Sequence, residues 1–124
     1  MNEIILTEEG KYNFFQSLFR SLVLLSDKEK QRRAWVEESD MNYIDFDEVY
    51  MLFMSPCNCI LTWHDLSKAQ HDMLEKLYKM VEDYDSRYKT DEEICNDPEW
   101  DGIREFTKKV YEKLKHVRYI SGIS

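Results

Sequence analysis

The side chains best suited to chemistry sit close together in the middle of the chain. Cys57-Asn58-Cys59 is followed by His64, Asp65 and His71. Thiolates and imidazoles converging tetrahedrally would bind zinc. A thiol beside an oriented histidine would give a nucleophile. The spacing favours neither. Zinc sites pair cysteines as C-x2-C, whereas one intervening residue in an extended segment sends the two sulfurs to opposite faces. His64 and His71 are about two helical turns apart, and Asp65 fits the first turn of a helix. Cys95 has no histidine near it in sequence and reads as an ordinary thiol. Adjacent acids (Glu37-Glu38, Asp45-Asp47-Glu48, Asp91-Glu92-Glu93) could supply acid–base pairs only with one carboxyl lifted in a cleft. At helix starts such acids serve the helix dipole. The reading is therefore of a protein without catalytic residues, cofactor or metal. The alternative kept open is a small metal- or thiol-dependent enzyme using Cys57, Cys59, His64 and His71.

The elements that must position these groups are helical. The 124 residues fit one domain, 1–124, and contain only three Gly and two Pro. Thr7 with Glu8 and Glu9 starts a helix, after an apolar Ile4–Leu6. Phe14–Leu25, apolar on more than one face, is its most buried part. Ser26 or Asp27 starts a second helix, to about Glu38. Asp45 and Glu48 open a third element. Val49–Met54 in it reads as a short helix or a buried strand, ended at Ser55-Pro56 because the residue before proline avoids helical geometry. Thr62 and Asp65 resemble a capping box for a long helix to about Tyr88, with Leu66, Ala69, Met73, Leu77, Met80, Tyr84 and Tyr88 as its stripe. Thr90 begins a short acidic turn. Asp97-Pro98 starts the last helix, with Trp100, Ile103, Phe106, Val110, Leu114 and Val117 on one side and a frayed tail at Gly122. The expected fold is mainly α. It is a single-domain bundle of about five helices around Phe15, Leu18, Leu22, Trp35, Leu77, Phe106 and Val110, with a short extended element near 51–61.

Charge is the most informative feature. The formal net charge is −8, and residues 82–101 carry −7 of it: Glu82, Asp83, Asp85, Asp91, Glu92, Glu93, Asp97, Glu99 and Asp101 against Arg87 and Lys89. Such a field repels nucleic acid and steers a basic protein. Tyr84, Tyr88 and Trp100 are interleaved with the acids and could anchor such a partner. The candidate partner-binding residues are Glu82, Asp83, Asp85, Tyr88, Asp91, Glu92, Glu93, Asp97, Glu99 and Trp100. The plainer reading is a solvated helix connection whose aromatics point to the core. The basic last helix (Arg104, Lys108, Lys109, Lys113, Lys115, Arg118) could neutralise part of the cluster.

Arg32 and Arg33 precede Ala34-Trp35-Val36 and then six acids from Glu37 to Glu48. A guanidinium makes two-pronged bonds to carboxylates. Neighbouring helical residues point about 100° apart, so one arginine is expected to face inward to such a pair and the other to face water. Ser26-Asp27-x-Glu29-x-Gln31-Arg32-x-x-Trp35-Val36, with Asp97-Pro98-x-Trp100 downstream, resembles a family of small bacterial proteins, some of which look like immunity proteins of toxin systems, including contact-dependent growth inhibition. The resemblance implies that these signature positions are fold determinants. It also implies a non-enzymatic cytoplasmic role in neutralising a cognate toxin; joined to the charge layout, the expectation is an immunity protein that blocks a basic toxin domain, such as a nuclease, by stoichiometric occlusion through an acidic face.

Met1-Asn2-Glu3 does not look like a secretory leader, and no apolar run approaches membrane-spanning length. Neither a nucleic-acid nor a membrane partner is expected. Oligomeric state is left open, and a homo-oligomeric regulatory module is the remaining alternative.

Overall fold

Thr7 opens α1 (Glu8–Ser26) by accepting from the Gly10 N–H at 3.0 Å, with Glu8 and Glu9 in the first turn where the helix dipole favours them. The computed structural model describes residues 7–40 and 42–117. Ile4–Leu6, Arg118 and Gly122 therefore lie outside the described residues. Five helices follow: α2 (Lys28–Trp35), α3 (Phe46–Ile60), α4 (Lys68–Asp83), α5 (Asp91–Cys95) and α6 (Pro98–Leu114). There is no strand among the described residues, and the fold is a mainly α bundle. α1 packs against α3 and α6, and α4 closes over α6 and α3. At one end α2 meets α5.

Most helix starts follow from side-chain caps. Asp27 accepts from Lys30 N, Asp45 from Glu48 N and Asp97 from Glu99 N, and Pro98 stands at the first position of α6, where its missing N–H costs nothing. The acidic turn at Thr90 is a helix of its own, held by a reciprocal capping box between Thr90 and Glu93.

Four boundaries differ from the sequence reading. α3 runs through Pro56 to Ile60, so the extended element near 51–61 is absent. Proline removes one helical hydrogen bond, from the carbonyl of Leu52, which lies on an exposed position. Phe53, Cys57 and Ile60 are fully buried around that point, and their burial outweighs the lost bond. α4 is capped by Ser67, not Thr62, because Ser67 and Gln70 form the complete capping box. α4 ends at Asp83, so Tyr84 and Tyr88 lie beyond it. Its buried face is Leu74, Leu77 and Val81, rotated from the expected stripe, and Ala69 is exposed. α2 ends at Trp35, three residues early, where the chain turns through Glu38.

Of the expected core, Phe15, Leu18, Leu22, Trp35, Leu77 and Val110 are buried. Phe106 is only partly so, with Lys76 Nζ 5.0 Å from its ring centre. The centre also holds a polar knot. Gln31 is fully buried and uses both ends of its amide. Nε2 donates to the Leu24 and Leu25 carbonyls at the end of α1, at 3.0 and 3.1 Å. Oε1 accepts from Trp100 Nε1 at 3.2 Å and Arg104 Nη1 at 2.6 Å. Arg104, itself buried, also donates to the Cys95 carbonyl at 2.7 Å and to Asp101 at 2.5 Å. Neither Arg32 nor Arg33 is the inward group. Arg32 bridges Glu29 and Glu37 at the surface, and Arg33 lies 3.6 Å from Glu29. The residue between α2 and the core is Gln31, and the buried cation is Arg104.

Candidate functional site

The thiol and imidazole groups do not assemble. Cys57 is fully buried on α3, and burial pushes its thiol well above the ordinary range, the opposite of what a nucleophile or zinc ligand needs. Cys59, half-buried, lies two residues further along the same helix and so faces another side. His64 is exposed in the connection to α4. His71 Nε2 lies 3.0 Å from the Leu61 carbonyl oxygen.

The acids of residues 82–101 divide into two groups. One is satisfied within the fold. Asp97 caps α6 and accepts from Tyr84 Oη at 2.7 Å and Lys89 Nζ at 2.9 Å. These bonds, with the Glu99 N–H, hold its carboxyl down at about 2. Asp101 binds Arg104 and, at 3.0 Å, Lys28. Asp85 is paired with Arg87 at 3.0 Å. Trp100 cannot anchor a partner. It has no exposed surface, and its ring lies 5.1 Å from that of Phe46 and 5.0 Å from that of Tyr84. Tyr84 is likewise in the core.

The other group stays outward. Glu82, Asp83, Glu92, Glu93 and Glu99 are exposed, with Glu93 also capping α5. Tyr88 is 100% exposed. Asp91 sits where the fold gathers acids from a different part of the sequence. The loop between α2 and α3 folds against the start of α5, and Glu38, Asp40, Asp45 and Asp91 line a cleft of about 390 Å³ with Trp35 and Tyr43 among its walls. Lys30 approaches Asp40 at 3.5 Å. No lysine or arginine among the described residues pairs with Glu38, Asp45, Asp47 or Asp91. Burial raises the Asp91 carboxyl above the usual aspartate range. A hydrogen bond from the Phe46 backbone pulls it partly back, and the charges of Asp45 and Asp47 raise it further.

Two residues carry unusual backbone, one of them, Glu38, in the lining of this cleft. Glu38 (φ 53°) and Tyr88 (φ 64°) are the non-glycine residues with left-handed backbone among those described. Such geometry is uncommon for a glutamate and more so for a tyrosine. Glu38 lets the Ser39 N–H reach back to the Arg33 carbonyl at 2.8 Å. Tyr88 stands three residues before Asp91 in the chain.

The sequence reading missed Glu38, Asp40, Asp45 and Asp47 as partners of Asp91 because it assigned them to Arg32 and Arg33. A signal was present: residues 37–48 hold six acids and no cation.

No protein-family model, curated protein or solved structure matches the chain. Among the described residues no helix is long and apolar enough to cross a membrane.

Proposed function

We propose that this chain is an immunity-type protein of the bacterial cytoplasm. It binds one basic toxin domain and blocks it by stoichiometric occlusion. The docking face is the cleft of Glu38, Asp40, Asp45 and Asp91, extended by Asp47 and the acids of α5, with Tyr88 as an exposed aromatic three residues before Asp91. The observation that carries this reading is the convergence of carboxylates from two distant segments with almost no cation between them. Like charges held together oppose folding, and a lysine- or arginine-rich partner would relieve that repulsion while the excess charge speeds encounter. The edges of Trp35 and Tyr43 that line the cleft supply apolar contact. The motif resemblance at Ser26–Val36 and Asp97–Trp100 points to the same class of protein.

The test is co-expression with the C-terminal domain of the protein encoded immediately upstream. The reading expects that domain to be basic and growth-inhibiting, and the chain to bind it one to one and restore growth. A chain that forms no complex with it and gives no protection contradicts the reading.

A further inference from the structure

His71 has different neighbours in the fold from those its sequence spacing suggested. His71, Asp72 and Glu75 stand near the start of α4, and one donor atom from each lies within 4.8 Å of the other two. His71 and Glu75 are four residues apart and share a helix face. The imidazole is fixed from behind by the Leu61 carbonyl, at the end of α3, which lies 3.0 Å from Nε2. A carbonyl oxygen only accepts, so the proton of the neutral ring sits on Nε2 and Nδ1 carries the lone pair. That Nδ1 lies 3.9 Å from Asp72 Oδ1. Two electron-pair donors thus face each other beside a third, Glu75. An imidazole whose far N–H is held by a backbone carbonyl is the arrangement that orients metal-binding histidines.

The geometry points to a surface site for a zinc-class divalent ion on His71 Nδ1, Asp72 and Glu75. One imidazole and two carboxylates suit zinc, whereas calcium and magnesium prefer oxygen ligands alone. Zinc bonds of about 2.0–2.2 Å set tetrahedral ligands about 3.3–3.6 Å apart, so the three groups close by small side-chain rotations. Asp72 and Glu75 are exposed, so solvent leaves room for those rotations. Water completes the fourth position. Lys68 Nζ, 2.9 Å from Asp72, competes with the ion, but both partners of that pair are largely solvated, so the competition is weak.

The test uses the full chain carrying Cys59→Ser, which removes the half-buried thiol, stripped with chelator and titrated with zinc alone by calorimetry. One equivalent is expected to bind. Glu75→Gln should weaken binding roughly tenfold or more, as should His71→Ala, and Lys68→Ala should tighten it severalfold. Because His71 also ties α4 to the end of α3, the exposed Glu75→Gln variant separates a lost ligand from a loosened fold. Absence of saturable one-equivalent binding, or equal affinity in the parent and Glu75→Gln, overturns the proposal.

Discussion

Gln31 and Trp100, 69 residues apart in the chain, meet in the core, where the indole N–H donates to the amide oxygen at 3.2 Å. The same amide oxygen holds Arg104, and the same amide nitrogen closes the last carbonyls of α1. Both residues belong to the short motifs noted in the sequence. Asp27, Trp35, Asp97 and Pro98 of those motifs also act structurally, as a helix cap, a core aromatic, a second cap and a first-turn proline.

Replacing Gln31 tests this knot. Gln31→Met keeps the volume but takes the acceptor from Trp100 Nε1 and Arg104 Nη1 and the side-chain donor from the Leu25 carbonyl, while the Leu24 carbonyl keeps the Tyr43 hydroxyl at 2.7 Å. Buried unsatisfied groups of this kind make a loss of about 3 kcal/mol the expected cost. Urea unfolding reads it as a lower midpoint. A loss under about 0.5 kcal/mol, the size of an ordinary surface change, would show that the amide is not a keystone.

Asp97 sets a pH dependence. Its folded carboxyl is held at about 2, below the unfolded value, so its contribution is present above about pH 4 and disappears as pH falls towards 2. The size is roughly 2 kcal/mol. Wild type should lose that much more stability than Asp97→Asn between pH 5 and 2, and unfolding curves of the two that run parallel would contradict the assignment.

Asp91 behaves with the opposite sign. Its folded carboxyl is raised, so the charged form opposes folding above its folded value and that opposition is relieved as pH falls. Asp91→Asn keeps an acceptor for the Phe46 backbone and removes the charge. It is expected to raise the melting temperature at neutral pH, with the gain shrinking on acidification. A destabilised variant would mean that the surrounding acids do not repel it.

Glu38 adopts a conformation that suits glycine. Glu38→Gly should stabilise the free chain by about 1 kcal/mol, measured by thermal unfolding, and should weaken binding of a basic partner. Gain of stability with loss of binding is the signature of a residue kept for its charge. A loss of stability would contradict that reading.

Much of the fold was legible because it is written locally. Thr7, Asp27, Asp45 and Asp97 cap helices where side-chain chemistry says they should. Pro56 misled because its local preference is overridden by the burial of Cys57 and Ile60, which follow it on α3. Arg104 was legible in part. It stands four residues after Trp100 and three before Thr107, on the core stripe of α6, yet its charge grouped it with the basic residues of that helix set against the acidic cluster. The acids of residues 37–48 were visible as a run without a cation, but their meeting with Asp91 was not, since it depends on the α2–α3 loop reaching α5 across some fifty residues, and no local pattern encodes that register. Trp100 carried two readings, an anchor among acids and a member of the apolar stripe of α6, and its burial settles for the stripe.

The central claim is that the cleft, rather than negative charge at large, recruits the partner. The direct measurement is the association rate with the basic partner domain proposed above, once co-expression has identified it, across ionic strength, for two triple variants of equal charge change. Glu38→Gln and Asp91→Asn remove two charges of the cleft and Asp47→Asn a third that acts on Asp91; Glu82→Gln, Asp83→Asn and Glu99→Gln neutralise exposed acids elsewhere. The cleft variant is expected to associate about tenfold more slowly at low salt, with a flatter salt dependence, and the other to stay within about twofold of wild type. Equal slowing in both, or none in the cleft variant, would contradict the account.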